Sequence, residues 1–485
     1  MAINFNSERL SADDNQVFYF DQLDGDALLS PDELSSLISQ HQGHELMHRY
    51  NRLRKYYVGQ HKILNKPRKR QGKPDTRLVV NFAKELVDNE VGYFAGTPVK
   101  FDYVDNGDSN EEIDKQINEF VNNNNLTDVV AELAKQVDIF GRSYLLMYQN
   151  EEKQTRVAPV EPRNAFVVYA NTVDAKPLFG IYYTTRNKNN GVSGMLYTGD
   201  FVYNFQGSNG GAITIDTETA TENLFKAVPI IEFYSNVERQ GLYEQVIGLI
   251  DAVDEALSNK NNDIEYFSNT IMKIINANVK QQTMDDMIDK RVIVVPAVNP
   301  ETPVDIDFLN KPDADTIQEN FLDRAIDMIY TKSNVANFQD EVFGTASGTA
   351  LEFKLQAMST AANMKERKFK MSLSKMWRLG FNVGATLPLD PTGRQANNIQ
   401  MTFKRTVPHN IQDEATTAKA LQDVVSRRTA ISVLSFVDDP DAELKALEDE
   451  QQEAAKRSQQ MMSLADDESD SDFNKGDAGD GATER

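Results

Sequence analysis

The residues best suited to chemistry lie in a short run, HELMH, at residues 44–48. The run matches H-E-x-x-H, in which two histidines one helical turn apart bind zinc and the glutamate, here Glu45, activates water. None of the other histidines, His41, His61 and His409, has the spacing that a compact metzincin motif gives its third ligand. A distant glutamate could supply that ligand. The sequence therefore leaves open a zinc metalloprotease and a surface helix with polar residues.

Positive charge is concentrated in two stretches of a chain whose formal net charge is −23. Residues 49–77 contain many lysines and arginines and a single acidic residue, Asp75. The second stretch, residues 343–380, is also basic, and we single out Lys354, Lys365, Arg367 and Lys368 in it. Either stretch could be a solvated surface or contact a polyanion. A DNA-binding protein with a basic patch is therefore a further hypothesis, although the acidic chain as a whole favours loose passage of DNA over tight binding.

Composition narrows the function classes. The chain has 485 residues, enough for several domains, and no cysteine, which excludes a disulfide framework and thiolate metal sites and fits an intracellular product. We find no signal peptide, no apolar run long enough to span a membrane, and no Walker A, G-x-G-x-x-G or G-x-S-x-G motif. We therefore expect no enzyme, no cofactor, no bound metal and no membrane segment.

The first third of the chain is predicted to be helical. Ser30, Pro31 and Glu33 form a capping box with proline at the first helical position, which predicts a helix running toward Tyr57. A second helix follows Phe82 and ends near Gly96. The region 110–140 is also helical, with an interruption at the asparagines 122–125.

From residue 141 to 235 the hydrophobic period changes to two, which predicts an antiparallel meander. Its predicted strands are residues 143–148, 165–169, 178–183, 195–197, 201–205 and 230–234. Beyond residue 241, two helical segments bracket a small module at 271–311 with strand candidates at 292–295 and 304–308. The expected shape is a stalk of two helices with a small domain at its end.

One long helix organises the rest. Thr349 and Glu352 have capping-box spacing, and larger apolar residues then recur at steps of three and four with one gap near Lys365. These residues are Leu355, Met358, Ala362, Phe369, Leu373 and Trp377. Gly380 is the predicted stop. A strand at 398–405, helices over 410–462 in which Ser426 caps one, and an acidic tail predicted to be disordered from 464 onward complete the chain.

Four stretches together resemble the portal proteins of tailed bacteriophages of the SPP1 type. They are RYNRLRKYYVGQHKILNK (49–66), NFAKELVDNEVGYFAGTPVKF (81–101), ASGTALEFKLQAM (346–358) and SRRTAISVLSFVDDPDAELK (426–445). They occur in the family's order and span most of the chain. The resemblance implies a mainly helical α+β, multi-domain protomer with wing, stem, clip and crown. It matches the wing to 1–238 and 336–405, the stem to 239–270 and 312–335, the clip to 271–311 and the crown to 406–465, before the acidic tail 466–485.

The resemblance also implies a function. Copies of the chain would form a ring, typically a dodecamer, at one capsid vertex of a virion assembled in the bacterial cytoplasm, and double-stranded DNA would enter and leave through it. Partners would be the terminase large subunit, the head–tail adaptor, and the major capsid and scaffolding proteins. A tunnel loop facing DNA would contain Asn337, Gln339, Asp340, Glu341, Thr345 and Ser347. The clip residues offered to terminase and adaptor would be Val292, Val294, Asp305 and Asp307.

Overall fold

The structure is a computed structural model that describes residues 17–21, 28–67, 74–105, 108–185, 191–208, 212–268, 272–276, 298–299, 303, 305–308, 315–338, 348–405, 411–422, 424–434, 436–437 and 440–472. It is an α+β protein, as predicted. The chain divides into two units, one formed by residues 1–340 and 354–406 and the other by 341–353 and 407–485. No helix in the described parts is both long and apolar enough to cross a membrane.

The predicted amino-terminal helix is two helices, α1 (Pro31–His41) and α2 (His44–Tyr57). The capping box is confirmed, because the Ser30 hydroxyl accepts a hydrogen bond from the Glu33 N–H and the Glu33 carboxylate accepts one from the Ser30 N–H. The prediction of one continuous helix is wrong at Gly43. A Cβ atom at this position would lie 2.7 Å from the Gln40 carbonyl oxygen, so the glycine permits the close turn between the helices.

Three further helices match the sequence prediction. They are α3 (Phe82–Ala95), α4 (Glu111–Asn123) and α5 (Leu126–Phe140), and a short 3₁₀ helix (Lys62–Asn65) precedes them. Asn81 caps α3 by accepting the Lys84 N–H, and Gly96 follows its end. Asn125, in the predicted asparagine interruption, adopts the left-handed conformation with φ 46° and separates α4 from α5.

The strands of the region 141–235 form two sheets, so the prediction of a single meander is wrong. The strands are β4 (Arg142–Gln149), β5 (Thr155–Val160), β6 (Ala165–Ala170), β7 (Pro177–Thr184), β8 (Gly191–Tyr197), β9 (Phe201–Ser208), β10 (Ile213–Glu222) and β11 (Ile230–Tyr234), joined by β1 (Phe18–Phe20) from earlier in the chain. A six-stranded sheet has the order β1-β6-β7-β8-β9-β10, with β1 parallel to β6 and the other pairs antiparallel. A three-stranded antiparallel sheet has the order β11-β4-β5. The division follows from β11, which returns to pair with β4 instead of adding to β10.

A third sheet joins residues far apart in the sequence. The strand predicted at 398–405 is β14 (Ile399–Thr402), and it pairs antiparallel with β2 (Lys100–Asp105), which also pairs with β3 (Asp108–Ser109). A short helix, α9 (Arg394–Asn397), leads into β14.

The two bracketing helices predicted beyond residue 241 are present. A 3₁₀ helix (Glu244–Val246) leads into α6 (Ile247–Ser268), which packs against α7 (Asp315–Ser333). Between them, β12 (Met272–Ile275) and β13 (Asp305–Phe308) form an antiparallel pair, with β13 inside the predicted segment 304–308. The other strand candidate, 292–295, lies outside the described residues.

The long helix α8 runs from Gly348 to Val383. It starts one residue before the predicted cap Thr349, and the predicted stop at Gly380 is wrong. Gly380 lies inside the helix, where a Cβ atom would approach the Leu387 side chain to 3.0 Å. Gly384, in the left-handed conformation with φ +65°, follows the last helical residue instead.

The carboxy-terminal region is helical, as predicted. Its helices are α10 (Ile411–Leu421), α11 (Arg427–Ile431) and α12 (Pro440–Asp472). Ser426 caps α11 by accepting the Thr429 N–H. Because α12 continues to Asp472, the prediction of disorder is wrong for residues 464–472, where the helix extends from alanine- and glutamate-rich turns.

Candidate functional site: the long helix and its buried charges

The predicted apolar stripe of α8 is confirmed. All six residues of the stripe are buried, and aromatic pairs surround two of them. Phe369 packs edge-to-face on Phe94 and Phe233, with ring centroids 5.1 and 5.2 Å away. The Trp377 ring lies 5.2 Å from Phe101 and from Phe120. The helix is therefore fixed against α3, α4, β2 and β11 by contacts that are sensitive to small changes in volume.

The gap in the stripe is occupied by Lys365 itself. Its ammonium group is buried and donates hydrogen bonds of 2.8 and 2.6 Å to the two carboxylate oxygens of Asp138 on α5. The Glu90 carboxylate on α3 lies 3.8 Å away, and the ring of Phe94 lies 4.6 Å from the ammonium nitrogen. Lys365 therefore does not belong to a solvated surface, one of the two interpretations of this basic stretch. Its buried ammonium group faces two buried carboxyl groups.

The ratio of two buried carboxyl groups to one buried ammonium group affects whether each carboxyl group is protonated. Burial raises the pKa of Asp138, and it raises the pKa of Glu90 to about 8. Lys365 opposes both shifts and lies closer to Asp138. We therefore assign the charged carboxylate to Asp138 and the retained proton at neutral pH to Glu90.

A pH-dependent stability follows. Since the folded-state pKa of Glu90 lies above its ordinary value of 4.5, its contribution is complete below that value and is lost as the pH rises through about 8. Between pH 6 and 9 the wild-type chain should lose about 1–3 kcal/mol that the Glu90→Gln variant retains. Urea denaturation at both pH values measures this difference. Equal losses in the two proteins would contradict the assignment of the proton.

A second charged group lies beside the first. The guanidinium of Arg405, just after β14, pairs with Glu366 of α8 at 2.5 Å and lies 5.2 Å from the Phe94 ring centroid. The Glu366 carboxylate also forms an ion pair with the ammonium group of Lys370, one turn later on the same helix, with an N–O distance of 2.7 Å. Lys365 and Glu366 of α8 are thus each tied to a neighbouring element through charge.

Glu232 of β11 is the centre of another buried cluster. Its carboxylate accepts Arg239 at 2.7 and 3.1 Å and the Tyr169 hydroxyl at 2.8 Å, and Arg142 lies 3.4 Å away. Burial alone would raise the pKa of Glu232, but the two arginines outweigh it and hold the value at about 2. The Ser372 hydroxyl of α8 donates to the Glu232 carbonyl at 2.7 Å, which connects this cluster to the long helix.

The base of the stalk contains one of the arginines that make the stretch 49–77 basic and a buried histidine from the same stretch. Arg49 is buried and donates to both Glu244 carboxylate oxygens, at 2.7 and 2.6 Å, and to the Arg239 carbonyl at 2.9 Å. The buried imidazole of His61 contacts Asp254 of α6 at 2.6 Å. Arg49 therefore holds α2 against the 3₁₀ helix that leads into α6, while Arg52, Lys55 and Lys62 remain exposed.

The zinc-motif hypothesis gains no support from the geometry. Glu45 and His48 lie on the exposed side of α2. No cluster of three or more histidine, aspartate or glutamate side chains suited to a metal ion occurs in the part of the chain that the structure describes. His41, adjacent in sequence, is buried and bonded to the Tyr183 hydroxyl at 2.6 Å, and burial lowers its pKa to about 3.

The remaining predicted site residues are distributed as follows. Asn337 and Lys354 are half-buried, Arg367 is exposed, and the Lys368 ammonium lies 5.5 Å from the Tyr234 ring centroid. Asp305 and Asp307 belong to β13, where they pair in register with Ile275 and Lys273. Gln339, Asp340, Glu341, Thr345 and Ser347 of the predicted tunnel loop, and Val292 and Val294 of the predicted clip, lie outside the described residues.

The acidic partners in these clusters are not among the residues predicted from the sequence to form a site. Glu90 and Asp138 occur at positions that the helical period assigns to the buried faces of α3 and α5. A charged residue at such a position is a signal for a buried ion pair, although its partner cannot be read from the same segment.

Comparison with known proteins identifies the family. A family model described as "Phage portal protein, SPP1 Gp6-like" matches residues 38–457. The portal protein of Bacillus phage SPP1 is 25% identical over 449 residues, which cover 85% of this chain and 83% of that protein. The portal protein of Clostridium phage phiCD119 is 23% identical over 431 residues, covering 83% of this chain and 92% of that protein.

Among solved structures, the neck of an empty GTA particle computed with C6 symmetry has a chain similar to this one. The similarity covers 72% of this chain and 89% of that chain, at 13% sequence identity and a TM-score of 0.43.

The class of protein is thus a phage portal protein, as the resemblance of the four stretches predicted. Because the family model matches most of the chain, the chain belongs to the SPP1 Gp6-like family of portal proteins.

Proposed function

We propose that copies of this chain form a closed ring at one vertex of a phage capsid, through which double-stranded DNA enters during packaging and leaves during ejection. The observation that carries the proposal is the family match over residues 38–457. The ring is a structural channel without catalytic activity of its own. We propose a dodecamer as the assembled form, joined to the major capsid protein, with scaffolding protein present during assembly in the host cytoplasm.

The domain assignment is part of this proposal. The helices α6 and α7 form the stem, and the module 271–311, with its β12–β13 pair, forms the clip at the end of that stem. The clip docks the terminase large subunit during packaging and the head–tail adaptor afterwards, with Val292, Val294, Asp305 and Asp307 as contact residues. The wing contains residues 1–238 and 336–405, and the crown contains 406–465.

The channel must let DNA slide without holding it. A net charge of −23 disfavours tight contact with phosphates, because phosphate binding depends on lysine and arginine contacts. The loop 337–347 has the polar and acidic composition expected of a low-friction surface, and α8 follows it in the chain.

The proposal is tested by measuring the mass of the full-length protein in solution by light scattering and imaging the same fraction by electron microscopy. Closed rings with an axial channel are expected. A protein that remains monomeric alone and with its capsid and scaffolding proteins would contradict the proposal.

The tunnel assignment has its own test. The double variant Asp340→Lys, Glu341→Lys should form intact rings but package much less DNA. Its lysines would attract the phosphates of the passing duplex. The matched control, Asp340→Asn with Glu341→Gln, removes the charge without adding attraction and should package DNA close to the wild-type level. Normal filling by the lysine variant would contradict the assignment.

A further inference from the structure

The outer face of α8 is exposed and carries both apolar and basic side chains. We define it by Met364, Arg367, Met371 and Lys375, which follow one another at steps of three and four and so lie along one side of the helix. Met364 is 57% exposed and Met371 is 39% exposed. The side opposite this face holds the buried stripe and Lys365. The outer face is therefore not part of the core of the first unit.

The basic residues of this face differ from their neighbours on the same helix. Lys365 and Lys370 are both engaged by carboxylates of the same chain, at 2.6 and 2.7 Å. Arg367 and Lys375 have no ion pair with any of the described residues, and both are exposed. Two cations thus alternate along the face with two exposed methionines, which are adaptable contact residues at binding surfaces.

The stalk presents a face of opposite charge. On α7, Glu319, Asp323 and Asp327 are spaced by four residues and form one exposed ridge. Ile317, 72% exposed, and Phe321, 48% exposed, lie on another side of α7, each about 160° around the helix from Glu319. Glu319 also pairs with Lys260 of α6 but remains half exposed, and Arg324 is the one basic residue within the ridge's length. We call this surface the stalk face.

The two faces match in chemistry and in dimensions. Arg367 and Lys375 are eight residues apart, as are Glu319 and Asp327, so each pair of charges spans about 12 Å along its helix. The α8 face also places two exposed methionines beside its charges, whereas the exposed apolar residues of α7 lie on another side of that helix. Complementary charges of this kind fix the register and the partner of a protein–protein contact.

The two helices are held at different positions of the same support. The Tyr330 hydroxyl of α7 donates to Glu85 near the start of α3, whereas Lys365 and Phe369 of α8 contact Glu90 and Phe94 further along α3. The outer face of α8 and the stalk face are therefore two distinct surfaces of one protomer. Complementary surfaces that differ from each other produce a head-to-tail contact, which generates a ring when the rotation between neighbouring copies closes.

We propose that the outer face of α8 binds the stalk face of the next copy of this chain, with Arg367 and Lys375 facing the acidic ridge of α7. This inference rests on the proposed ring, to which it adds the residues of one subunit contact. Because every subunit offers both faces, the same contact repeats around the ring.

Exchange of the charges tests the contact in the full-length protein. The variant Arg367→Glu with Lys375→Glu, and the variant Asp323→Arg with Asp327→Arg, should each reduce the fraction of chain in rings at least about tenfold, because like charges then meet. Combining all four substitutions should restore rings. The control, Lys55→Glu with Lys62→Glu, makes the same charge change at exposed positions outside both faces and should assemble normally.

Cross-linking provides a second measurement that tolerates partial loss of assembly. The chain contains no cysteine, so Asp323→Cys with Arg367→Cys introduces the only two thiols. A short bismaleimide should link this variant into a ladder of covalent oligomers, while each single variant stops at dimers. The pair Asp323→Cys with Lys55→Cys should give no ladder.

The outcomes separate the two proposals. If the wild-type chain forms rings but the charge variants form them equally well, or the Asp323→Cys, Arg367→Cys variant gives no ladder, the contact is overturned while the ring stands. If the wild-type chain forms no ring with its capsid partners, the proposed function fails and the contact fails with it.

Discussion

Replacing Lys365 with methionine is expected to lower the free energy of unfolding by about 3–5 kcal/mol. The substitution keeps the length and apolar stem of the side chain but removes the cation that lies between Asp138 and Glu90. Asp138 would then remain buried without a partner for its charge. The cost of that unpaired carboxylate, or of protonating it, exceeds the packing that methionine retains.

The measurement uses a probe that the chain already contains. Trp377 is the only tryptophan, and it is buried on α8 three turns beyond Lys365, so its fluorescence in a urea titration reports the unfolding of this core. The matched control is Lys135→Met. Lys135 also pairs with a carboxylate, Glu132 at 3.0 Å, but at the surface of α5, where loss of the pair should cost about 0–1 kcal/mol. Similar losses of stability in the two variants would show that burial does not increase the cost of removing the Lys365 cation.

Replacing Glu232 with glutamine is expected to destabilise the protein by a similar amount, about 3–5 kcal/mol. Arg142 is buried, and Arg239 is largely buried, so both cations would lose their counter-charge without regaining water. The Tyr169 hydroxyl would also lose a charged acceptor. The effect should reach α8, because the carbonyl of the same residue accepts the Ser372 hydroxyl.

Acid should reproduce the effect of this substitution. The folded-state pKa of Glu232, about 2, lies below its ordinary value of 4.5, so its stabilisation is present above 4.5 and is lost as the pH falls toward 2. The difference in stability between wild type and Glu232→Gln should therefore narrow over that interval. Glu161→Gln, at a partly exposed pair with Arg163, serves as the control and should change stability by at most about 1 kcal/mol. A difference that stays constant down to pH 2 would exclude Glu232 as the titrating group.

The two basic stretches, residues 49–77 and 343–380, each contain a buried, paired cation as well as exposed ones. In a count of charges along the segment, Lys365 and Lys368 are equivalent, as are Arg49 and Arg52. In the folded chain, Lys365 and Arg49 are buried and paired, whereas Arg52 is exposed. A count of charges along a segment predicts its net charge but not which of its charges meet water.

Local features were determined by the sequence. The Ser30 and Ser426 caps, the asparagine break between α4 and α5, the buried stripe of α8 and the two helices bracketing β12 and β13 all depend on residues within a few positions of each other. The four stretches that resemble portal proteins are likewise read directly from the chain, and the family model confirms them.

Tertiary structure alone decided which residues from distant segments meet. Lys365 and Asp138 are 227 positions apart, Arg49 and Glu244 are 195 apart, and β11 returns past six strands to pair with β4. Chain periodicity gives the direction of a side chain relative to its own helix or strand. The packing of several elements around it decides whether that side chain is buried and which charge it meets, because burial and pairing depend on all the elements together.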